Sequence, residues 1–95
     1  MTVYVDDMKA KYAPPHAPGR TYIMCHMFAD TEEEMHAMAT RLGVRKYYQG
    51  DHYDITLSKR ALAVKYGAKQ ITWRELAQMV NARRKAKMAA MRGAA

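Results

Sequence analysis

The run Thr21-Tyr22-Ile23-Met24-Cys25-His26-Met27-Phe28 constrains the fold more than any other segment. It is almost continuously apolar yet only as long as a strand, which suits a strand covered on both faces of a sheet. His26 lies near its end, on the same side as Tyr22 and Met24, because alternate residues of a strand share a face. A first strand is predicted at Thr2-Val3-Tyr4-Val5-Asp6, where alternation, β-branching and an aromatic residue coincide. It ends in Asp6-Asp7. Carboxylates at the carboxyl end of a strand in an open α/β sheet are placed to hold a metal or a phosphate-bound cation. The structural alternative is that one caps a turn and the other is solvated. A parallel arrangement of these two strands would bring Asp6 and His26 out at one edge. An antiparallel one is expected to separate them and abolish a shared site.

Between the strands, Pro14, Pro15, Pro18 and Gly19 predict a loop from Met8 to Arg20, with His16 exposed in it. A loop of this length in a small domain is often a binding loop or lid, or else a tolerated insertion. After the apolar run, Asp30 or Thr31 is expected to cap a helix. Thr31 and Glu34 fit a capping box, and Glu32, Glu33 and Glu34 suit the positive end of the helix dipole. Met35, Met38, Ala39 and Leu42 form its inner stripe, Gly43 ends it, and His36 falls one residue off the stripe, at the surface. A second helix is expected from a cap at Thr56 or Ser58, with Leu57, Ala61, Val64 and Ala68 inward and Gly67 as terminator. Lys69 to Thr72 is a short strand candidate. Thr72 and Glu75 form a second capping box that opens a last helix, buried through Trp73, Leu76 and Val80.

The chemistry concentrates in Gln49 to Arg60. His52 and Asp54 are two apart and therefore point to one side of an extended segment, and Lys59 and Arg60 follow at a helix start. Asp6, Asp7, His26, His52 and Asp54 are the candidate catalytic residues: carboxylates as cation ligands or general base, a histidine for proton transfer. Lys59 and Arg60 would stabilise phosphate charge, and Tyr53 would contact the ligand. Tyr47 and Tyr48, beside Arg45 and Lys46, have the character of residues that stack on bases, or else pack a sheet edge. An aspartate just before a helix also has a structural use, accepting backbone N–H bonds.

Ninety-five residues make one domain, and a net charge of +7 points to polyanionic partners: nucleic acid, a nucleotide or an acidic protein. Much of that charge lies in Arg83, Arg84, Lys85 and Lys87. These form a candidate nucleic-acid-binding face on an Ala/Met-rich helix that has few large apolar residues to dock it, so it is expected to protrude or fray; a solubilising tail or partner-binding extension is the alternative. The single cysteine, Cys25, excludes an internal disulfide and a four-cysteine zinc site, and reads as a buried small hydrophobe. No apolar run reaches membrane-spanning length and no signal-peptide pattern opens the chain, so a cytoplasmic, non-membrane location is expected.

The motifs Val3-Tyr4-Val5-Asp6-Asp7-Met8, Met24-Cys25-His26-Met27, Ala29-Asp30-Thr31, His52-Tyr53-Asp54-Ile55, Ser58-Lys59-Arg60 and Ile71-Thr72-Trp73-Arg74 together resemble a family of small bacterial and phage proteins catalogued as a domain of unknown function. The resemblance implies one compact domain and a frequent phage origin, and brings no activity. The loop around Pro14 to Gly19 is longer than the family pattern, and the basic tail lies beyond it.

The fold expected is α/β: about three strands with at least one parallel pair, and three helices. Residues 1–80 would form the compact domain and 81–95 a basic helical extension. Function divides between a polar Asp/His/Lys/Arg site that binds or processes a nucleotide or nucleic-acid phosphate, with a divalent metal as its candidate cofactor, and a non-enzymatic module that binds nucleic acid or a host protein.

Overall fold

The computed structural model describes residues 2–93. Strands β1 (Val3–Val5), β2 (Ala10–Tyr12) and β3 (Tyr22–Ala29) are followed by helix α1 (Glu32–Leu42), a 3-10 turn (Arg45–Tyr47), β4 (Tyr53–Thr56), α2 (Leu57–Lys65), β5 (Lys69–Gln70) and α3 (Trp73–Gly93). The five strands form one mixed sheet, and the parallel pair is β1 with β5. The α/β class with three helices is therefore the observed one, with two strands, β2 and β4, beyond the three expected. β2 arises inside the segment expected to be loop throughout: the prolines begin only at position 14, so the residues before them are free to pair.

β3 is the axis of the sheet. Met24 pairs with Ala10 of β2 and with Thr56 of β4; Met27 pairs with Val5 of β1 and with Tyr53 of β4. Hence β1 and β2 lie end to end along one edge of β3 and β4 lies along the other. Between the last β1 pair and the first β2 pair, the four residues Asp6 to Lys9 face only Cys25 and His26. This is a bulge, and Lys9 absorbs it with φ of 50°. Asp6 stands at its start, opposite His26 by continuation of the β1–β3 register, and its N–H donates to the His26 carbonyl at 3.1 Å.

Paired residues share a face, so Val5, Cys25, Met27, Tyr53 and Ile55 look one way. With Met35, Ala39 and Leu42 of α1 and Ala63 of α2 they form the main core. Tyr4, Asp6, Met24, His26, Phe28 and Asp54 look the other way, toward α3, whose Leu76 and Val80 are buried. α1 follows the sequence closely: Thr31 accepts from the Glu34 N–H and donates to its carboxylate, the buried stripe is the expected one, and Gly43 closes the helix in the left-handed region at φ 74°. α2 turns differently. It begins directly at Leu57, the residue after β4, with Thr56 as cap; this junction sets its phase, so Ala63 faces inward while Leu57 and Ala61 are exposed.

α3 opens on the expected Thr72–Glu75 box. Trp73, expected to be buried, is 53% exposed. The start of the basic stretch is tied to the domain, while residues 84–93 are exposed: Arg83 donates to the carbonyls of Ala29 and Asp30 and lies over the Phe28 ring, Arg84 pairs with Asp51, and Lys87 pairs with Glu32 at 2.8 Å. Polar side chains dock this helix where apolar ones are lacking. Among the described residues, no helix is long and apolar enough to cross a membrane.

Candidate metal centre

Asp6 is fully buried at the bulge. Its Oδ1 accepts the His26 backbone N–H at 2.7 Å and the Met8 N–H at 3.3 Å, so a side chain satisfies donors that the interrupted ladder would otherwise orphan. Its Oδ2 accepts a hydrogen bond from His26 Nδ1 at 2.7 Å. Burial pushes the Asp6 carboxyl up, but the hydrogen bonds from the His26 side chain and backbone and from Met8 outweigh it and hold the group below its usual range.

The same construction recurs on the other edge of β3. The Asp51 carboxylate accepts a hydrogen bond from His52 Nδ1 at 2.6 Å and is itself held by Arg84 of α3. Arg84, with a smaller contribution from His52, keeps Asp51 below the carboxylate range against the opposing effect of burial. Between the two imidazoles stands Asp54, directly opposite His26 in the β3–β4 register. Its Oδ1 is 3.7 Å from His26 Nε2 and 3.5 Å from His52 Nε2. The hydrogen bond with Asp54 raises the His52 pKa; burial opposes this and Asp51 supports it. The rings meet edge to face with centroids 4.9 Å apart.

Both histidines thus have Nδ1 occupied by a dedicated carboxylate and Nε2 directed at a common point. The three donor atoms, two nitrogens and one oxygen, lie within 4.8 Å of one another. Ligands held about 2.0–2.2 Å from one ion stand roughly 3–4 Å apart, so a modest contraction would close the set on a cation. Carboxylates behind ligating imidazoles fix tautomer and orientation and raise basicity, which is the usual outer shell of a metal site. A cleft of about 140 Å³ opens beside the centre, lined by His26 and His52 on the sheet and by Trp73, Leu76, Val80 and Arg84, among others, on α3.

The structure brings together Asp6, His26, His52 and Asp54 of the residues singled out from sequence. The two-residue spacing of His52 and Asp54 has the expected effect. The condition placed on strand direction does not hold. β1 and β3 are antiparallel, yet Asp6 meets His26, because His26 is the fifth residue of an eight-residue strand and not near its end, and the register brings the end of β1 to the middle of β3.

The other candidates are elsewhere. Asp7 accepts the Trp73 N–H and caps α3. Tyr53 turns to the opposite face, buried, its hydroxyl 2.6 Å from His36 Nδ1; His36 is therefore half-buried and not at the surface. Tyr48 packs on the same two rings and donates to the Gly50 carbonyl, while Tyr47 is exposed beside Lys46. Arg60 donates to the Asp6 carbonyl at 2.6 Å and to Gln70, bracing α2 against the sheet. Lys59 lies on a separate shallow surface with Ser58, Ala61, Leu62 and Lys65. Of the tail cations, Arg84 reaches the centre and Lys85 is exposed.

Asp51 and Arg84 are the residues missed as parts of the site. Asp51 adjoins His52 in sequence, which was a usable signal. Nothing local announces that a residue 33 positions later completes the pair.

A family model described as protein of unknown function (DUF4031) matches residues 3–83, a span that holds Asp6, His26, His52 and Asp54 and extends into α3 as far as Arg83. No curated protein and no solved structure matches the chain.

Proposed function

We propose, from the premise that the chain belongs to the family of proteins of unknown function DUF4031, that it is a metal-dependent hydrolase whose ion is held by His26 Nε2, His52 Nε2 and Asp54 Oδ1. The observation that carries this reading is the convergence of two imidazole nitrogens, each backed by its own carboxylate, on one aspartate oxygen. Two histidines and one carboxylate leave coordination positions open, as catalytic centres do and closed structural sites do not. A divalent ion there would polarise a bound oxygen and lower the pKa of its water, supplying a nucleophile at neutral pH.

The substrate in this reading is the phosphate ester of a nucleotide or nucleic acid. The net charge of +7 and the placement of Arg84 at the cleft, one carboxylate away from His52, support an anionic substrate. Arg84 would meet phosphate oxygens while its Nε remains on Asp51.

Calorimetric titration of metal-stripped protein with Zn²⁺, Mn²⁺ and Co²⁺ tests the centre. One ion per chain is expected, with binding lost in His52→Ala and in Asp54→Ala while the fold persists. Equal affinity in those variants overturns the centre. A loaded protein that cleaves neither phosphomonoesters nor phosphodiesters overturns the hydrolytic part alone.

A further inference from the structure

The face of the sheet that carries the centre is covered unevenly. At one end α3 lies over it, and Phe28 is 3% exposed beneath Arg83. At the other end, Tyr12 and Tyr22 are directly cross-strand partners and remain 48% and 36% exposed. Alternation along β3 puts Tyr22, Met24 and His26 on one face, and pairing adds Tyr12, Ala10, Thr56 and Asp54 to it. A pair of aromatic rings thus stands four residues, about 13 Å, along β3 from His26, with Met24, Ala10 and Thr56 between.

Toward the tyrosine end of this face the nearby charge is positive, while the carboxylates Asp6 and Asp54 lie at the centre. From Met8 to Ala29 the chain has no acidic residue, while Lys9 just before β2 and Arg20 in the loop that joins β2 to β3 are exposed; Lys11, between Ala10 and Tyr12, alternates to the opposite face. Side-by-side tyrosines on a sheet with cations at the rim are the means by which single strands are held: every base offers a stacking face, and the backbone needs only positive charge. Duplex bases are stacked on each other and cannot use such a surface. The span from tyrosines to centre corresponds to a few nucleotides, at roughly 3.4 Å or more each.

We infer that the open face of β2, β3 and β4 is a platform for single-stranded nucleic acid, with bases on Tyr12 and Tyr22 and the backbone led toward His26, His52 and Asp54. The inference deepens the phosphate-ester reading and rests on it for what occurs at the centre; binding to the platform does not require the ion. It gives the β2–β3 hairpin a purpose, since that pairing sets the two tyrosines side by side.

The experiment is fluorescence anisotropy of labelled oligothymidylate with the full chain in EDTA, for the wild type, Tyr12→Ala/Tyr22→Ala and Tyr12→Leu/Tyr22→Leu, with circular dichroism as a check on folding. The wild type should bind single strands, more weakly as salt rises. Both double variants should bind at least tenfold more weakly, the leucine pair included because it keeps apolar area without a π-face. Folded double variants with wild-type affinity, or a duplex bound as tightly as the single strand, overturn the platform. Absence of wild-type oligonucleotide binding beside intact metal binding overturns the platform and leaves the metal centre standing; the reverse result leaves the platform standing without the centre.

Discussion

Replacing Asp6 by asparagine keeps the shape of the bulge and changes one thing of consequence, the direction of the hydrogen bond to His26. One oxygen of Asp6 answers the fixed backbone N–H of His26 at 2.7 Å, and the other answers Nδ1 at 2.7 Å. In Asp6→Asn the amide oxygen must stay on the backbone donor, because a buried N–H without a partner costs about 1–3 kcal/mol. The amide NH₂ then faces Nδ1, which becomes an acceptor, and the ring proton moves to Nε2, the atom that would bind the ion. Metal binding must reverse that tautomer against two opposed donors. The expected loss is about 10–100-fold in metal affinity, the usual cost of disturbing an outer-shell partner, or roughly 1.4–2.7 kcal/mol. Stability should change less. Charge-assisted bonds become neutral ones, but a buried carboxylate no longer has to be desolvated. Calorimetry with Zn²⁺ measures the affinity, and long-range ¹H–¹⁵N spectra of the imidazole report the tautomer. Wild-type affinity with the Nε2 proton in place would refute the reasoning, as would wild-type affinity in Asp6→Asn when His52→Ala has lost it.

Two further outcomes are expected. Thr31→Ala removes the cap of α1 and half of its capping box, which should cost about 1 kcal/mol and lower the Tm by roughly 4–8 °C; Thr31→Ser should restore most of it, and an unchanged melting curve in the alanine variant would contradict the cap assignment. For pH, the Asp6 carboxyl is held below its ordinary value in the folded state, so its contribution is fully present above the unfolded value of about 3.9 and is lost as pH falls through the lower folded value. Denaturant melts of metal-free protein below about pH 4 should therefore show a loss in the wild type that is smaller in Asp6→Asn, and parallel curves for the two would remove Asp6 as the source.

The helices were legible because their signals are local. Thr31 with Glu34, Thr72 with Glu75, and the spacing of Met35, Met38, Ala39 and Leu42 each lie within a few turns, where 3.6-residue geometry alone decides which groups meet. His52 and Asp54 belong to the same class, since a two-residue spacing in extended chain needs no knowledge of the fold. Trp73 and the α2 stripe were misjudged for a related reason: hydrophobicity names a candidate face, but a strand that passes into a helix without a connecting residue sets the phase, and a helix can leave its first ring at the wall of a cleft.

The centre itself depends on register. Asp6 is 20 positions from His26, Asp54 is 28 positions beyond it, and Arg84 is 33 beyond Asp51; no spacing connects them. They meet because β3 pairs along both edges, with β1 in a register that carries Asp6 opposite His26 and β4 in one that sets Asp54 against it. Strand direction looked decisive in the sequence and proved less so than pairing offset, since an antiparallel strand can end opposite the middle of its neighbour. Residue types and local caps are written in the chain. Which histidine receives which carboxylate follows from backbone hydrogen bonding across the sheet, whose free energy is shared among all pairs and is assigned to none by the sequence around them.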